Sequence, residues 1–197
     1  MSLVTPVRLG GLFLTNAFVL IKVKSGTEKA VLDALFTVPE VLEAHTITGD
    51  YDLIAVMSAK EDDLARYPNE KILEALTEKI RKMDSVLNTK TIMPVSSEIK
   101  KRNALDFVEF ARGFVFLKVR PGREERSMTE VLKINEVTEA HLITGSYDIL
   151  AVLDVKKPVL YPHYPEVIAD IVTDRIRKIR DLQDSETIIP DLSRVKT

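Results

Sequence analysis

The first strongly patterned stretch of the chain is "AFVLIKV" (Ala17–Val23). An unbroken apolar run rich in β-branched and aromatic side chains predicts a buried strand. From about Thr27 to Thr37 the period lengthens, and Val31, Leu32, Leu35 and Phe36 fall on one stripe of a predicted helix. "VLEAHTIT" (Val41–Thr48) reads as a strand, Gly49-Asp50 as a turn, and "YDLIAVM" (Tyr51–Met57) as the returning strand. A second helix is predicted over roughly Asn69–Met83, where Leu73, Leu76, Ile80 and Met83 recur at helical spacing. "VLNTKTIMPV" (Val86–Val95) closes the unit as a last strand. The order β-α-β-β-α-β is the split βαβ, or ferredoxin-like, arrangement.

The pattern then repeats. "ITGDYDLIAV" at Ile47–Val56 returns as "ITGSYDILAV" at Ile143–Val152, and the same offset pairs Phe18 with Phe114, Gly26 with Gly122, and "EAH" at Glu43–His45 with Glu139–His141. Two copies of so long a period indicate a duplicated domain rather than a solenoid. The second copy offers the strand "GFVFLKV" (Gly113–Val119) and a helix carrying Met128, Val131 and Leu132. A hairpin at Gly145-Ser146, a helix over about Glu166–Leu182 and a strand over Ser185–Pro190 follow. Pro158, Pro162 and Pro165 are expected in the loop before that helix, because interior prolines break helices. The expected organisation is a first domain over 1–95 with its core at 17–95, a linker over 96–112, a second domain over 113–190 and a tail over 191–197. The fold class is α+β, two tandem ferredoxin-like units pairing face to face as a pseudo-dimer, like a dimeric α+β barrel.

The repeated phrase contains a two-residue hairpin signal. Glycine followed by a small polar residue suits a type II′ turn, with Thr48 then facing Tyr51. A turn does not explain the Tyr-Asp that follows in both copies. Aspartate is depleted in strands, yet Asp52 and Asp148 each head an apolar run. Such a carboxylate is either satisfied by local backbone donors or aimed at a partner.

Composition narrows the function. The net charge of −2 and a pI of about 6.0 give no basic footprint for nucleic acid. With no cysteine there is no disulfide, thiolate metal site or cysteine nucleophile. No apolar run approaches the roughly 20 residues of a membrane span, and "MSLVTPVRLGG" lacks the pattern of a signal peptide, so a cytoplasmic protein is expected.

"KVKSGTEKAVLDALFTVPEV", "EAHTITGDYDLIAV" and "LTEKIRKMDSVLNTKTIMPV" resemble the ligand-sensing RAM domain of the Lrp/AsnC (feast/famine) regulators, as do "VRPGREERSMTEVLKINEVTEAHLITGSYDILAV" and "IVTDRIRKIRDLQDSETIIP" in the second copy. The matches cover about Ala17–Val95 and Gly113–Pro190, and the likeness is strongest to stand-alone archaeal RAM proteins. The resemblance implies dimers that assemble further, with small effectors, typically amino acids, bound near the hairpin. Carried over, the candidate contacts are Thr48, Gly49, Asp50, Tyr51 and Asp52, with Thr89 and Thr91 on the closing strand. In the second copy they are Thr144, Gly145, Ser146, Tyr147 and Asp148, with Ser185 and Thr187. Full-length members carry a helix-turn-helix for which this chain leaves no room before Ala17. Direct DNA binding is therefore not expected, and co-assembly with a DNA-binding homologue is the implied route to regulation.

The expected function is effector binding coupled to homo-oligomer assembly, without catalysis, cofactor or metal. Asp50 against Ser146 is the difference that would separate the two sites. His45 and His141, one per copy, are too few to ligate a metal alone and read as strand residues covering an interface. "EKIRKM" and "DRIRKIR" place cations at helix C-termini, where the macrodipole favours them. Tyr161, Pro162, His163 and Tyr164 form an aromatic loop unique to the second copy. The rival readings are an oxygenase or haem-handling enzyme of the dimeric α+β barrel type, and a protein–protein adaptor with a degenerate pocket. An enzyme would place titratable groups between sheet and helices, where the stripes here are Val, Ile, Leu and Phe.

Overall fold

The computed structural model describes residues 7–9, 12–60, 68–100, 110–156 and 164–196. They fall into two compact units, an N-terminal one of Pro6–Met93 with Pro190–Thr197 and a C-terminal one built on Pro94–Ile189. The N-terminal unit runs β1 (Val7–Leu9), β2 (Leu12–Val23), α1 (Glu28–Leu35), β3 (Val41–Thr46), β4 (Leu53–Lys60), α2 (Pro68–Ala75) and β5 (Val86–Ile92). The chain then forms β6 (Ser96–Ile99), β7 (Phe110–Val119), α3 (Glu124–Leu132), β8 (Val137–Leu142), β9 (Ile149–Lys156), α4 (Tyr164–Asp174), β10 (Leu182–Ile188) and β11 (Ser193–Val195).

Both sheets are antiparallel, with the ferredoxin-like order β5-β2-β4-β3 in one unit and β10-β7-β9-β8 in the other. Each is extended by a strand from the end of the other repeat. β6 pairs with β8 in the C-terminal unit, and β11 pairs with β3 in the N-terminal unit. Ser96–Ile99 is therefore strand rather than linker, and the expected tail at Ser193–Val195 is an edge strand. Short polar strands carry too little hydrophobic alternation to be seen without their pairing partner.

Alternation divides each sheet into two faces. Ala17, Val19, Ile21 and Val23 pack with Val31, Leu32, Leu35, Ile72, Leu76 and Ile80 from the helices, all buried. Val115, Leu117, Val119, Met128, Val131, Ile168, Val172 and Ile176 form the matching core of the C-terminal unit. Full burial of each large aliphatic side chain contributes about 1.5–3 kcal/mol. Phe18, Leu20, Ile54 and Val56 on the other face are buried too, as are Phe114, Phe116, Leu150 and Val152.

Three further details differ from the sequence reading. The expected helix over Asn69–Met83 gives way to a π-helical turn at Leu76–Ile80, closed by Arg81 N–H donating to the Leu76 carbonyl at 2.9 Å. Its counterpart after α4 tightens instead into a 3-10 turn at Ile176–Lys178. Pro165 lies inside the first turn of α4, where its missing N–H has no intrahelical acceptor to lose. Pro158 and Pro162 lie outside the described residues, as do Tyr161 and His163. The hairpins are also wider than two-residue turns. The last paired residues are Thr46 with Leu53 and Leu142 with Ile149, and the Ile47 and Ile143 N–H groups donate to the Asp52 and Asp148 carbonyls at 2.9 Å. Gly49 and Gly145 do adopt positive φ, at 122° and 125°.

Candidate functional site

Glycine with an acidic residue two places later starts the first helix of each unit. Gly26 and Gly122 sit at φ 83° and 78°, and their N–H groups donate to the Glu28 and Glu124 carboxylates at 3.0 Å. Backbone N–H groups of Gly122 and Glu124 hold the Glu124 carboxyl below its ordinary range. This helix start lies beside the end of the sheet where the repeated hairpin emerges. The hairpin is anchored there by its aspartate: Asp52 N–H donates to Ile21 and its Oδ2 accepts from Val23 N–H at 2.8 Å. Asp148 does the same with Leu117 and with Val119 N–H at 2.9 Å. Local backbone donors thus account for one oxygen of each carboxylate.

The other oxygen separates the units. Asp52 Oδ1 is held by Lys22 Nζ at 3.2 Å. Asp148 Oδ1 has no hydrogen-bond partner among the described residues, and Lys118, at the Lys22 position, forms no ion pair there. Asp148 instead lines a groove of about 680 Å³ with Thr144, Gly145, Leu142, Ile143 and Val95. Glu124, Glu125 and Arg126 from the start of α3 form its other side. One rim thus presents carboxylates, Arg126 a guanidinium, and Leu142, Ile143 and Val95 an apolar surface. That chemistry can hold a small zwitterion, with its ammonium on carboxylates and its carboxylate on a guanidinium.

Of the second-copy residues singled out in the sequence, Thr144, Gly145 and Asp148 line this groove. Ser146 is exposed at the hairpin tip. Tyr147 packs its ring on Phe116 at 5.7 Å between centroids, and burial, with the Glu186 carboxylate acting in the same direction, raises its phenol pKa. Ser185 and Thr187 lie opposite Leu117 and Val115 on β10, so β7 stands between them and the hairpin. Ser185 Oγ accepts from Arg177 Nε at 3.1 Å, as Thr89 Oγ1 does from Arg81 at 2.8 Å. In the N-terminal unit Thr48, Gly49 and Asp50 are exposed, Tyr51 is half-buried, and Thr91 Oγ1 is buried without a hydrogen-bond partner. β2 separates Thr89 and Thr91 from that hairpin in the same way. Glu124, Glu125, Arg126 and Val95 were missed in the sequence. The signal for Glu125 and Arg126 was the replacement of "SGTEKA" (Ser25–Ala30) by "PGREER" (Pro121–Arg126) at matching positions, while Val95 carries none.

The histidines have a structural task. His45 Nδ1 is 2.8 Å from Ser193 Oγ on β11, and Nε2 is 3.3 Å from Glu43. His141 meets Ser97 on β6 at 2.7 Å and Glu139 at 3.2 Å. Each ring thereby pins the strand that arrives from the other repeat, and both rings are fully buried. Among the described residues no group of three or more His, Cys, Asp or Glu could hold a metal ion, and no helix is long and apolar enough to cross a membrane.

Residues 16–105 match the family described as Lrp/AsnC ligand binding domain. The curated protein "HTH-type transcriptional regulator FL11" of Pyrococcus furiosus is 39% identical over 62 residues, covering 32% of this chain and 40% of that protein. FL11 of Pyrococcus horikoshii is 36% identical over the same shares. The chain thus spans about 40% of the length of the curated relatives it matches. Among solved structures, the siroheme decarboxylase NirDL in complex with an iron-uroporphyrin III analogue aligns over 91% of this chain and 72% of its own at 11% identity, with a TM-score of 0.61. A likeness at that identity concerns the fold, here shared along nearly the whole chain. By sequence, then, residues 16–105 are similar to the Lrp/AsnC ligand binding domain, and a 62-residue stretch of the chain is similar to regulators named for transcription.

Proposed function

We propose that this chain is a small-molecule sensor of the Lrp/AsnC type whose effector is an amino acid, bound in the groove of the C-terminal unit. The observation that carries the reading is the carboxylate of Asp148, which lines the groove and is anchored through Oδ2 with no hydrogen bond to Oδ1 among the described residues, where Asp52 is closed by Lys22. Asp148 and Glu125 receive the ammonium group, Arg126 receives the carboxylate, and Leu142 and Val95 face the side chain. Occupancy alters assembly, with itself or with a DNA-binding homologue, because a ligand shifts any equilibrium between states that bind it unequally. Among the described residues the layer between sheet and helices is packed with aliphatic side chains in both units, which supports sensing over catalysis.

The test is a thermal-shift screen of the full chain against the common amino acids. A ligand at about 100 times its Kd stabilises by about 2.7 kcal/mol. One or a few amino acids should raise the melting temperature, and Asp148→Ala should abolish the rise while Asp52→Ala leaves it. A rise that survives Asp148→Ala, or no rise with any amino acid, defeats the reading.

A further inference from the structure

A second cleft of the C-terminal unit, of about 380 Å³, opens between α3 and the segment that follows α4. Four cations line it, Arg126 on α3 and Arg175, Lys178 and Arg180 after α4. Arg175 is committed to Glu136 at 2.7 Å, and Lys178 meets Asp174 only at 3.5 Å on an exposed face. Arg126 and Arg180 have no ion-pair partner among the described residues. Of the carboxylates at the cleft, Glu130 is held by Lys133 at 2.8 Å, and Asp181 is largely buried.

Two observations make this more than a charged surface. The first is Ser127, which lines the cleft, is 1% exposed, and has a buried Oγ without a hydrogen-bond partner. A buried hydroxyl left unmatched costs about 1–3 kcal/mol unless something supplies the missing bond. The second is the other repeat, in which the positions of Arg126, Ser127, Glu130, Arg180 and Asp181 hold Ala30, Val31, Ala34, Asp84 and Ser85. Lys79 and Lys82 match Arg175 and Lys178, so the scaffold keeps two cations in both units, but only the C-terminal unit adds Arg126, Ser127 and Arg180, where the other has Ala30, Val31 and Asp84. Nothing in the core requires the change, since Val31 packs there within the apolar cluster.

We propose that this cleft binds a sugar phosphate, its phosphate on Arg126, Arg180 and Lys178 and the Ser127 hydroxyl, and a sugar hydroxyl on Asp181. Guanidinium forks suit a phosphate's oxygens in geometry and charge. The serine donates its proton to a phosphate oxygen and is then satisfied. Ile134 and Ile179 give the sugar ring an apolar floor. This cleft is separate from the groove at Asp148, although Arg126 borders both.

The test is titration calorimetry of the full chain with ribose 5-phosphate, inorganic phosphate and unphosphorylated ribose. Saturable binding of ribose 5-phosphate is expected, weaker for phosphate and absent for ribose. Arg180→Asp, which installs the residue of the other repeat on an exposed position, should weaken binding about tenfold or more. Ser127→Val should weaken it as well, and Lys82→Ala, at the matching place in the N-terminal unit, should leave it unchanged. No saturable binding, equal binding of ribose, or binding indifferent to Arg180→Asp overturns the proposal. Because neither Arg180 nor Ser127 borders the Asp148 groove, the amino-acid response is expected to survive both changes, which keeps the two sites' tests separate.

Discussion

The two units share a backbone plan and differ in how they handle the same buried positions. In the C-terminal unit Arg112 Nε lies 3.1 Å from Asp154 Oδ1, with both side chains under 10% exposed, and Thr138 Oγ1 donates to Asp154 at 2.6 Å. Arg112 also stands 3.6 Å from Glu139, which holds His141. The matching positions of the N-terminal unit are Asn16, Ser58 and Leu42, and Ser58 Oγ is buried without a hydrogen-bond partner. A neutral version and an ionic version of one site thus coexist in one fold. The difference teaches that one fold accepts charge in the second copy where the first has none, at Arg112 and Asp154 against Asn16 and Ser58 and at Arg126 against Ala30, and accepts a reversed charge at Arg180 against Asp84.

The sharpest way to break this comparison is to strand one charge. Asp154→Ala should destabilise the protein by about 3–5 kcal/mol, because a buried guanidinium loses its bidentate carboxylate and keeps only the longer contact with Glu139. The double change Arg112→Asn with Asp154→Ser, which writes the N-terminal solution into the C-terminal unit, should recover most of that loss in urea unfolding. A single change costing under ~1 kcal/mol would mean the pair is not the buried network described.

The histidine pins should respond alike in the two units. Ser193→Ala and Ser97→Ala each remove the partner of a buried imidazole nitrogen, at a cost of about 1–3 kcal/mol. Chemical denaturation should give similar values, and faster hydrogen exchange along β3 for the first and β8 for the second. Loss at only one site would show that the two swapped strands are not equivalent. Gly49→Ala and Gly145→Ala place a Cβ at positive φ and should each cost about 1–2 kcal/mol, with no steric clash to add to it.

The smallest effect separates the tyrosines. Burial and the Glu186 carboxylate raise the Tyr147 phenol above its ordinary 10.0. The protonated phenol is the folded form's preference, so its contribution is present below the unfolded value and is lost as pH rises through the raised one. Ultraviolet titration should show a late-ionising tyrosine that Tyr147→Phe removes. Stability should decline in that alkaline window for the parent more than for the variant. An unchanged titration curve in the variant would mean that the Tyr147 phenol is not the raised one.

How far the site was legible follows from the range of the interactions. Gly145 and Asp148 stand out in sequence because glycine at positive φ and aspartate at a strand head are local anomalies. Their neighbours in the groove were hidden. Arg126 is an ordinary surface arginine until α3 places it beside the hairpin, and Val95 belongs by sequence to the first repeat yet reaches the second, its N–H donating to the Leu142 carbonyl at 2.7 Å. Ser185 and Thr187 show the opposite limit of local pattern: they match Thr89 and Thr91 at the repeat offset, and only the sheet order shows that β7 lies between them and the hairpin.

By itself the sequence determined the two βαββαβ units, their helix-facing cores and the positive-φ glycines, because side-chain periodicity and backbone sterics act over a few residues. Only the tertiary structure decided that β6 and β11 complete each other's units and that one aspartate is closed by lysine while its twin lines a groove. It alone brought Ser127 and Arg180 to one cleft. Those outcomes depend on groups far apart along the chain meeting in space, where charge and hydrogen-bond satisfaction are settled by neighbours that no local pattern names.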